Sequence, residues 1–206
     1  MKVLLINGSP NDKGCTFTAL SEVASSLAQN GVESEIYHIG KKPIQGCIGC
    51  MKCFELGHCV FNDGVRELVS RLDEFSGIII GSPVYYAGPA GSLCAFLDRL
   101  FFSGGRDLDG KPGACVVSCR RGGASAAFDR LNKYFTIRNM PIVSSQYWNQ
   151  VHGNTPDEVR QDLEGMQTMR TLGQNMAWLL KCIEAGKNAG ITYPVHEEIT
   201  FTNFIR

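Results

Sequence analysis

Short aliphatic runs alternate with longer stretches of helical spacing along most of the chain, and that rhythm leaves few folds open. Lys2–Asn7 reads as a buried strand. Leu20, Val23, Ala24, Leu27 and Ala28 then recur at helical spacing, which predicts a helix over roughly 16–30. Gly31 stands where a C-terminal glycine would close it. Val32–Ile39 is a second strand and Asp63–Leu72 a helix. Gly77–Gly81 is an uninterrupted apolar run, the mark of a central parallel strand covered on both faces. Ala90–Phe102 reads as helix, Ala114–Ser118 as strand, Ser125–Asn139 as helix and Ile142–Gln146 as a fifth strand. The last helix opens at Thr155-Pro156-Asp157-Glu158, with an N-cap, a proline at the first helical position and a capping-box glutamate. Val159, Leu163, Met166, Met169, Met176, Leu179, Leu180 and Ile183 carry it to about Gly186, the methionines as core filler. Strand and helix in this alternation predict an α/β fold, a doubly wound five-stranded parallel sheet of order 2-1-3-4-5 with helices on both faces. The domain is expected over 1–186, with a tail over 187–206 that has no strong period and is expected to pack on a partner subunit.

Composition narrows the partners. With 206 residues, 44% of them hydrophobic and 19% charged, the chain suits one compact domain. Twenty basic residues balance twenty acidic ones, so net charge argues for neither nucleic acid nor an anionic membrane. The opening apolar run ends in a polar turn too early for a signal peptide, and no stretch approaches the roughly 20 apolar residues of a membrane span. A soluble, cytoplasmic protein is expected.

In an open parallel sheet, ligands bind beyond the C-terminal strand ends, near the point where strand order reverses. That rule selects three loops. Loop one, Gly8-Ser9-Pro10-Asn11-Asp12-Lys13-Gly14-Cys15-Thr16-Phe17, runs from a strand into a helix N-terminus, where free N–H groups and the helix dipole favour an anion. It matches neither the dinucleotide nor the P-loop fingerprint, so a phosphomonoester held by Ser9, Asn11, Thr16 and backbone amides fits better. Loop two, Ser82-Pro83-Val84-Tyr85-Tyr86-Ala87-Gly88-Pro89-Ala90-Gly91, offers a stiff backbone and two tyrosines to a flat aromatic ligand. Loop three, Ser118-Cys119-Arg120-Arg121-Gly122-Gly123, permits close backbone approach and places arginine beside it.

Nine cysteines are many for such a chain, and in a reducing compartment they do not suggest a disulfide framework. Cys47, Cys50 and Cys53 stand at two-residue gaps, and Cys59 follows after five more residues. Three readings are open: a compact iron–sulfur ligand run, a tetrahedral zinc site, or a loop of free thiols. His58 reads as a surface residue, and Cys15, Cys94, Cys115 and Cys182 as core or near-core thiols.

Taken together, Gly8-Ser9-Pro10…Gly14-Cys15-Thr16, Gly81-Ser82-Pro83-Val84-Tyr85, Asp98-Arg99, the Cys47–Cys59 spacing and the ending Thr202-Asn203-Phe204-Ile205-Arg206 resemble the NADPH-dependent FMN reductase and iron–sulfur flavoprotein group of the flavodoxin-like superfamily. The resemblance implies a flavodoxin-like fold with FMN. It implies phosphate contacts from Ser9, Asn11, Gly14, Thr16 and Phe17, and an isoalloxazine lying on Pro83, Val84, Tyr85, Tyr86 and Gly88. Ser118, Arg120, Arg121 and Gly122 would close the other side, and Cys47, Cys50, Cys53 and Cys59 would bind a [4Fe–4S] cluster. One departure stands out: relatives often carry arginine directly after Gly-Ser-Pro, where this chain has Asn11.

The implied activity is an oxidoreductase moving electrons from NAD(P)H or a reduced ferredoxin-like carrier to a quinone, a flavin or another small-molecule or protein acceptor. The rival readings are an electron-transfer iron–sulfur flavoprotein without turnover of its own, and a hydrolase or nucleotide-binding regulator on the same fold. A homodimer or homotetramer is expected. No acid–base catalytic residue is expected, because a flavin would carry the chemistry.

Overall fold

The computed structural model describes residues 1–202 and 204. Five parallel strands form its sheet: β1 (Lys2–Asn7), β2 (Glu33–His38), β3 (Gly77–Tyr85), β5 (Gly113–Cys119) and β6 (Gln150–His152). A two-residue strand, β4 (Gly88–Pro89), folds back antiparallel on the end of β3. The spatial order is β2-β1-β3-β5-β6, which without β4 is the expected 2-1-3-4-5.

Side chains alternate across these strands, so each strand feeds two cores. Leu4, Ile6, Ile78, Ile80 and Val117 face α3 (Gly64–Val69), α4 (Gly91–Ser103) and α5 (Ala124–Thr136). Val3, Leu5, Ile79, Ala114 and Val116 face α1 (Cys15–Gln29), α6 (Pro156–Gln161) and α7 (Leu163–Asn188). Met166, Met169 and Met176 are buried filler in the second core, as their spacing predicts. A one-turn helix, α2 (Cys53–Leu56), lies inside the cysteine run and carries no apolar periodicity that would announce it.

Two elements differ from the sequence expectation. Ile142–Gln146 is not the fifth strand: Ile142 makes an isolated bridge to Gly113, and pairing resumes at Gln150–His152. Between them Ser145 turns its hydroxyl inward, donating to Tyr147 O and bonding Asn149 Oδ1, both at 2.7 Å. These local bonds divert the backbone from the ladder. The last helix is two helices, broken at Asp162 (ψ 79°). Its carboxylate accepts from Gly165 N at 3.0 Å and from His152 N at 2.7 Å, capping α7 and tying it to β6. Removing that cap by Asp162→Ala should cost about 1 kcal/mol. In a chain this long that lowers the melting temperature by about 2–4 °C, readable by thermal circular dichroism.

Candidate functional site

The three selected loops leave neighbouring strand ends. Asn7 of β1 is in register with Gly81 of β3, and Pro83 of β3 with Ser118 of β5. Side-chain bonds fix loop one: Asn7 Oδ1 accepts from Ser9 N and Ser9 Oγ accepts from Asn11 N, each at 3.1 Å. Asn7 Nδ2 donates to Asp12 O at 3.1 Å, and Gly14 N donates to Asn11 O at 3.3 Å. His38, at the end of β2, bonds Ser9 O through Nε2 at 2.8 Å.

The chain then enters α1 at Gly14, which supplies no side-chain cap, and the first turn holds no acidic residue. Helical bonding begins with Thr18 N to Gly14 O at 3.0 Å. The amides of Cys15, Thr16 and Phe17 have no acceptor among the described residues. A 15-residue helix therefore presents three free N–H groups and its positive dipole end at the mouth of the sheet. Lys13 Nζ lies 4.0 Å above the Phe17 ring, a cation at the rim of this loop.

Loop two is a tight hairpin. Val84 pairs with Pro89 and Tyr85 with Gly88, so Tyr86 and Ala87 form the turn. Both are left-handed, at φ 50° and 58°, as this turn type requires, but neither is glycine. Each stores about 1–2 kcal/mol of backbone strain, the kind of cost held at ligand clamps. Buried Ser82 braces the base, accepting from Ala90 N at 3.0 Å and donating to Pro83 O at 2.8 Å. Pro83 and Val84 are half-buried, while Tyr85 is exposed and Tyr86 projects fully into solvent.

Loop three meets both others. Ser118 Oγ and Thr16 Oγ1 share a hydrogen bond of 2.9 Å between two buried hydroxyls. Gly123 is left-handed at φ 90°, and a Cβ there would stand 2.7 Å from Ala87 Cα. Arg120, Arg121 and Gly122 are exposed. The fold thus brings Ser9, Asn11, Gly14, Thr16, Ser118, Val84 and the Tyr85–Gly88 turn to one end of the sheet. Arg120 and Arg121 stand exposed beside them.

The cysteine run forms a second feature. Cys47, Cys50, Cys53 and Cys59 line one small apolar pocket with Val60, Phe61, Arg99 and Phe102. Among the described residues, no group of three or more His, Cys, Asp or Glu side chains is drawn together closely enough to hold a metal ion. The donor set nonetheless suits a soft inorganic centre: four sulfurs, a common pocket and no competing carboxylate. Burial and the neighbouring Cys50, Cys59 and Cys47 thiols push the Cys53 thiol up. His58 is half-buried and bonds its Nδ1 to Cys59 O at 2.9 Å, which leaves it outside that pocket. Of the thiols expected in the core, Cys115 is buried, Cys15 and Cys94 are half-buried, and Cys182 is exposed on α7, contrary to expectation. Cys182 lies on the outer face of α7, whose nearest buried positions are Met176, Ala177 and Leu180.

Arg99 ties this loop to the domain. It sits on the buried side of α4 with 1% of its surface exposed, forked onto Asp63 at 2.6 and 2.8 Å. Burial opposes the guanidinium charge, but the Asp63 hydrogen bonds outweigh it and hold Arg99 above its ordinary value. Burial likewise raises the Asp63 carboxyl, and the Arg99 bonds overcome it to hold the group below its usual 3.8. A depressed carboxyl stabilises the fold fully above its unfolded value and loses that contribution as pH falls through the folded one. Wild type should therefore lose denaturant stability relative to Asp63→Asn as pH drops below about 4. Parallel acid profiles would remove this ion pair from the stability of the chain.

Residues 1–155 match the family model described as NADPH-dependent FMN reductase. The chain belongs to that family. An iron–sulfur flavoprotein of Methanocaldococcus jannaschii is 33% identical over 192 residues, covering 89% of this chain and 100% of the relative. Another iron–sulfur flavoprotein, from Methanosarcina thermophila, is 26% identical over 193 residues, covering 91% of this chain and 100% of the relative. Among solved structures, RosB with a bound 8-demethyl-8-formylriboflavin-5′-phosphate intermediate superposes with a TM-score of 0.71 at 12% identity, over 100% of this chain and 94% of that one. At that identity the likeness supports the fold alone. Family membership supports an FMN-dependent oxidoreductase, and no described helix is long and apolar enough to cross a membrane.

Proposed function

We propose that this chain binds FMN at the three loops and passes electrons from NAD(P)H, or from a reduced ferredoxin-like carrier, to a quinone, flavin or other acceptor. The observation that carries the proposal is the set of free first-turn amides on α1, opposite a strained aromatic hairpin at the same end of the sheet. In this reading the phosphate lies on the amides of Cys15–Phe17 with Ser9, Asn11, Gly14 and Thr16, and Lys13 supplies the positive charge that Asn11 lacks. The ring lies along Pro83, Val84, Tyr85 and Gly88. Tyr86 is fully exposed and reaches the ring only if the turn closes over it. Ser118 and the Gly122 backbone bound the far side, with Arg120 and Arg121 free to meet an anionic cosubstrate. When bound, FMN supplies two-electron uptake with single-electron release; the protein orients the ring and excludes water.

Cys47, Cys50, Cys53 and Cys59 would hold a [4Fe–4S] cluster, which supplies one-electron transfer. Helix α4 starts at the hairpin and presents Arg99 to the cysteine pocket, about 12 Å further along its axis at about 1.5 Å per residue. The tail fits the proposed packing on a partner subunit: Ile191, Val195, Ile199 and Phe201 are exposed and belong to no strand. Part of the family-like ending, Asn203, Ile205 and Arg206, lies outside the described residues.

An anaerobic ultraviolet–visible spectrum with iron and acid-labile sulfide assays tests the reading. Flavin bands with about four irons per chain support both centres. Flavin without iron leaves an FMN reductase, and a colourless protein that rejects FMN sinks the proposal. Rapid turnover with NAD(P)H separates the enzyme from a carrier that only exchanges electrons with a protein partner.

A further inference from the structure

We infer that Arg99 is a positioning residue that sets the electron affinity of the inorganic centre held by the cysteine run, through the hydrogen bond its Nε–H donates to Cys59 Sγ. The inference rests on the cluster reading above. An arginine is almost never fully buried without partners for its charge and its donors. Here the fork takes both oxygens of Asp63, and Nη1 also donates to Gln45 O at 3.1 Å. A fourth donor, Nε–H, points at Cys59 Sγ at 3.2 Å. Because the guanidinium is planar and its five donors are fixed in direction, an Arg99 locked on Asp63 also fixes where that sulfur stands. Phe61 covers the group, its ring centre 4.8 Å from the guanidinium carbon.

The partners of Arg99 bracket the run. Gln45 lies just before Cys47, Cys59 is the last thiol, and Asp63 caps α3 directly after it by accepting from Val65 N at 3.2 Å. One rigid cation thus anchors both ends of a loop that, apart from the single turn of α2, has no regular structure. Phe54 against Phe102, edge to face at 5.5 Å, is the adjacent apolar brace.

A hydrogen bond and a positive charge beside a ligating sulfur favour the more negative, reduced centre and so raise its potential. The apolar walls leave that charge poorly screened. Asp63 sits on the far side of the guanidinium and offsets part of its charge. The two residues should therefore move the potential in opposite directions, which a role confined to holding the loop would not produce.

The test uses the full chain purified without oxygen as wild type, Arg99→Lys and Asp63→Asn. FMN and iron per chain are measured, and the cluster is titrated with dithionite under electron paramagnetic resonance. Lysine keeps the charge but cannot serve Asp63, Gln45 and the sulfur with the same fixed fork. Asparagine keeps the α3 cap and removes the counter-charge. With FMN content unchanged, the lysine variant should titrate at lower potential by about tenfold in the reduction equilibrium, about 59 mV for one electron. The asparagine variant should titrate higher. If the lysine variant loses its iron, the asparagine variant decides: a raised midpoint supports the inference and an unmoved one overturns it. Midpoints equal to wild type in both iron-loaded variants overturn it while leaving the cluster reading intact. A wild type without iron overturns both.

Discussion

Replacing Ser9 and Thr16 together by alanine should weaken FMN binding about a hundredfold. Both hydroxyls are buried, Ser9 at the start of loop one and Thr16 in the first turn of α1. Hydrogen bonds to a charged group contribute about 1.5–3 kcal/mol each, so losing two at the low end costs about 3 kcal/mol. That converts to about two orders of magnitude in Kd. The α1 amides and Lys13 remain in the double variant, which is why binding should weaken rather than vanish. Ser9→Ala also releases Asn11 N, and Thr16→Ala leaves the Ser118 hydroxyl without its 2.9 Å partner, so part of the loss is lost order in the loop. Thr16→Ser separates the two contributions: it keeps the hydroxyl and should hold most of the affinity. Fluorescence titration of apoprotein with FMN reads both variants, and an unchanged Kd in the double variant discards loop one as the phosphate site.

The parts of this molecule legible in the sequence are those set by periodicity. Gly77–Gly81 reads as a central strand because both of its faces are covered, and it is one: Ile78 and Ile80 serve one core, Ile79 the other. Topology alone selects the three loops, and the bonds from Thr16 to Ser118 and from Gly8 N to Gly81 O join their strand ends. Periodicity is silent where side chains compete with the backbone. Ser145 and Asn149 displace the fifth strand, Asp162 splits a helix whose apolar pattern runs straight through it, and the Tyr86–Ala87 turn adopts left-handed backbone that neither residue advertises. The partnership of Arg99 with Asp63 and Cys59 spans three segments, which no local pattern can join. A signal was present all the same: Arg99 falls among Phe96, Leu97, Leu100 and Phe101 on the buried side of α4, where a lone cation requires an acceptor.

Gly81→Val should damage fold and site at once, because the missing side chain at Gly81 lets Thr16 and Leu20 of α1 pack directly on β3 beneath loop one. A Cβ at Gly81 would stand 2.7 Å from Leu20 Cδ1, 2.9 Å from Thr16 Cγ2 and 3.0 Å from Leu20 Cγ. Thr16 is β-branched and committed to Ser118, and Leu20 is fully buried, so neither side chain can turn aside and the helix itself must move. Overpacking of this kind costs about 1–3 kcal/mol, which for a chain of this size lowers the melting temperature by about 2–12 °C. Moving the first turn of α1 also carries its free amides away from Ser9 and Ser118, so FMN affinity should fall by more than the stability loss alone explains. Gly91→Ala provides the control: a Cβ there meets nothing within 4 Å, and both melting temperature and FMN affinity should stay near wild type. If Gly81→Val melts lower yet binds FMN as tightly as wild type, the close approach of α1 to β3 serves packing alone, and the phosphate does not rest on the α1 N-terminus.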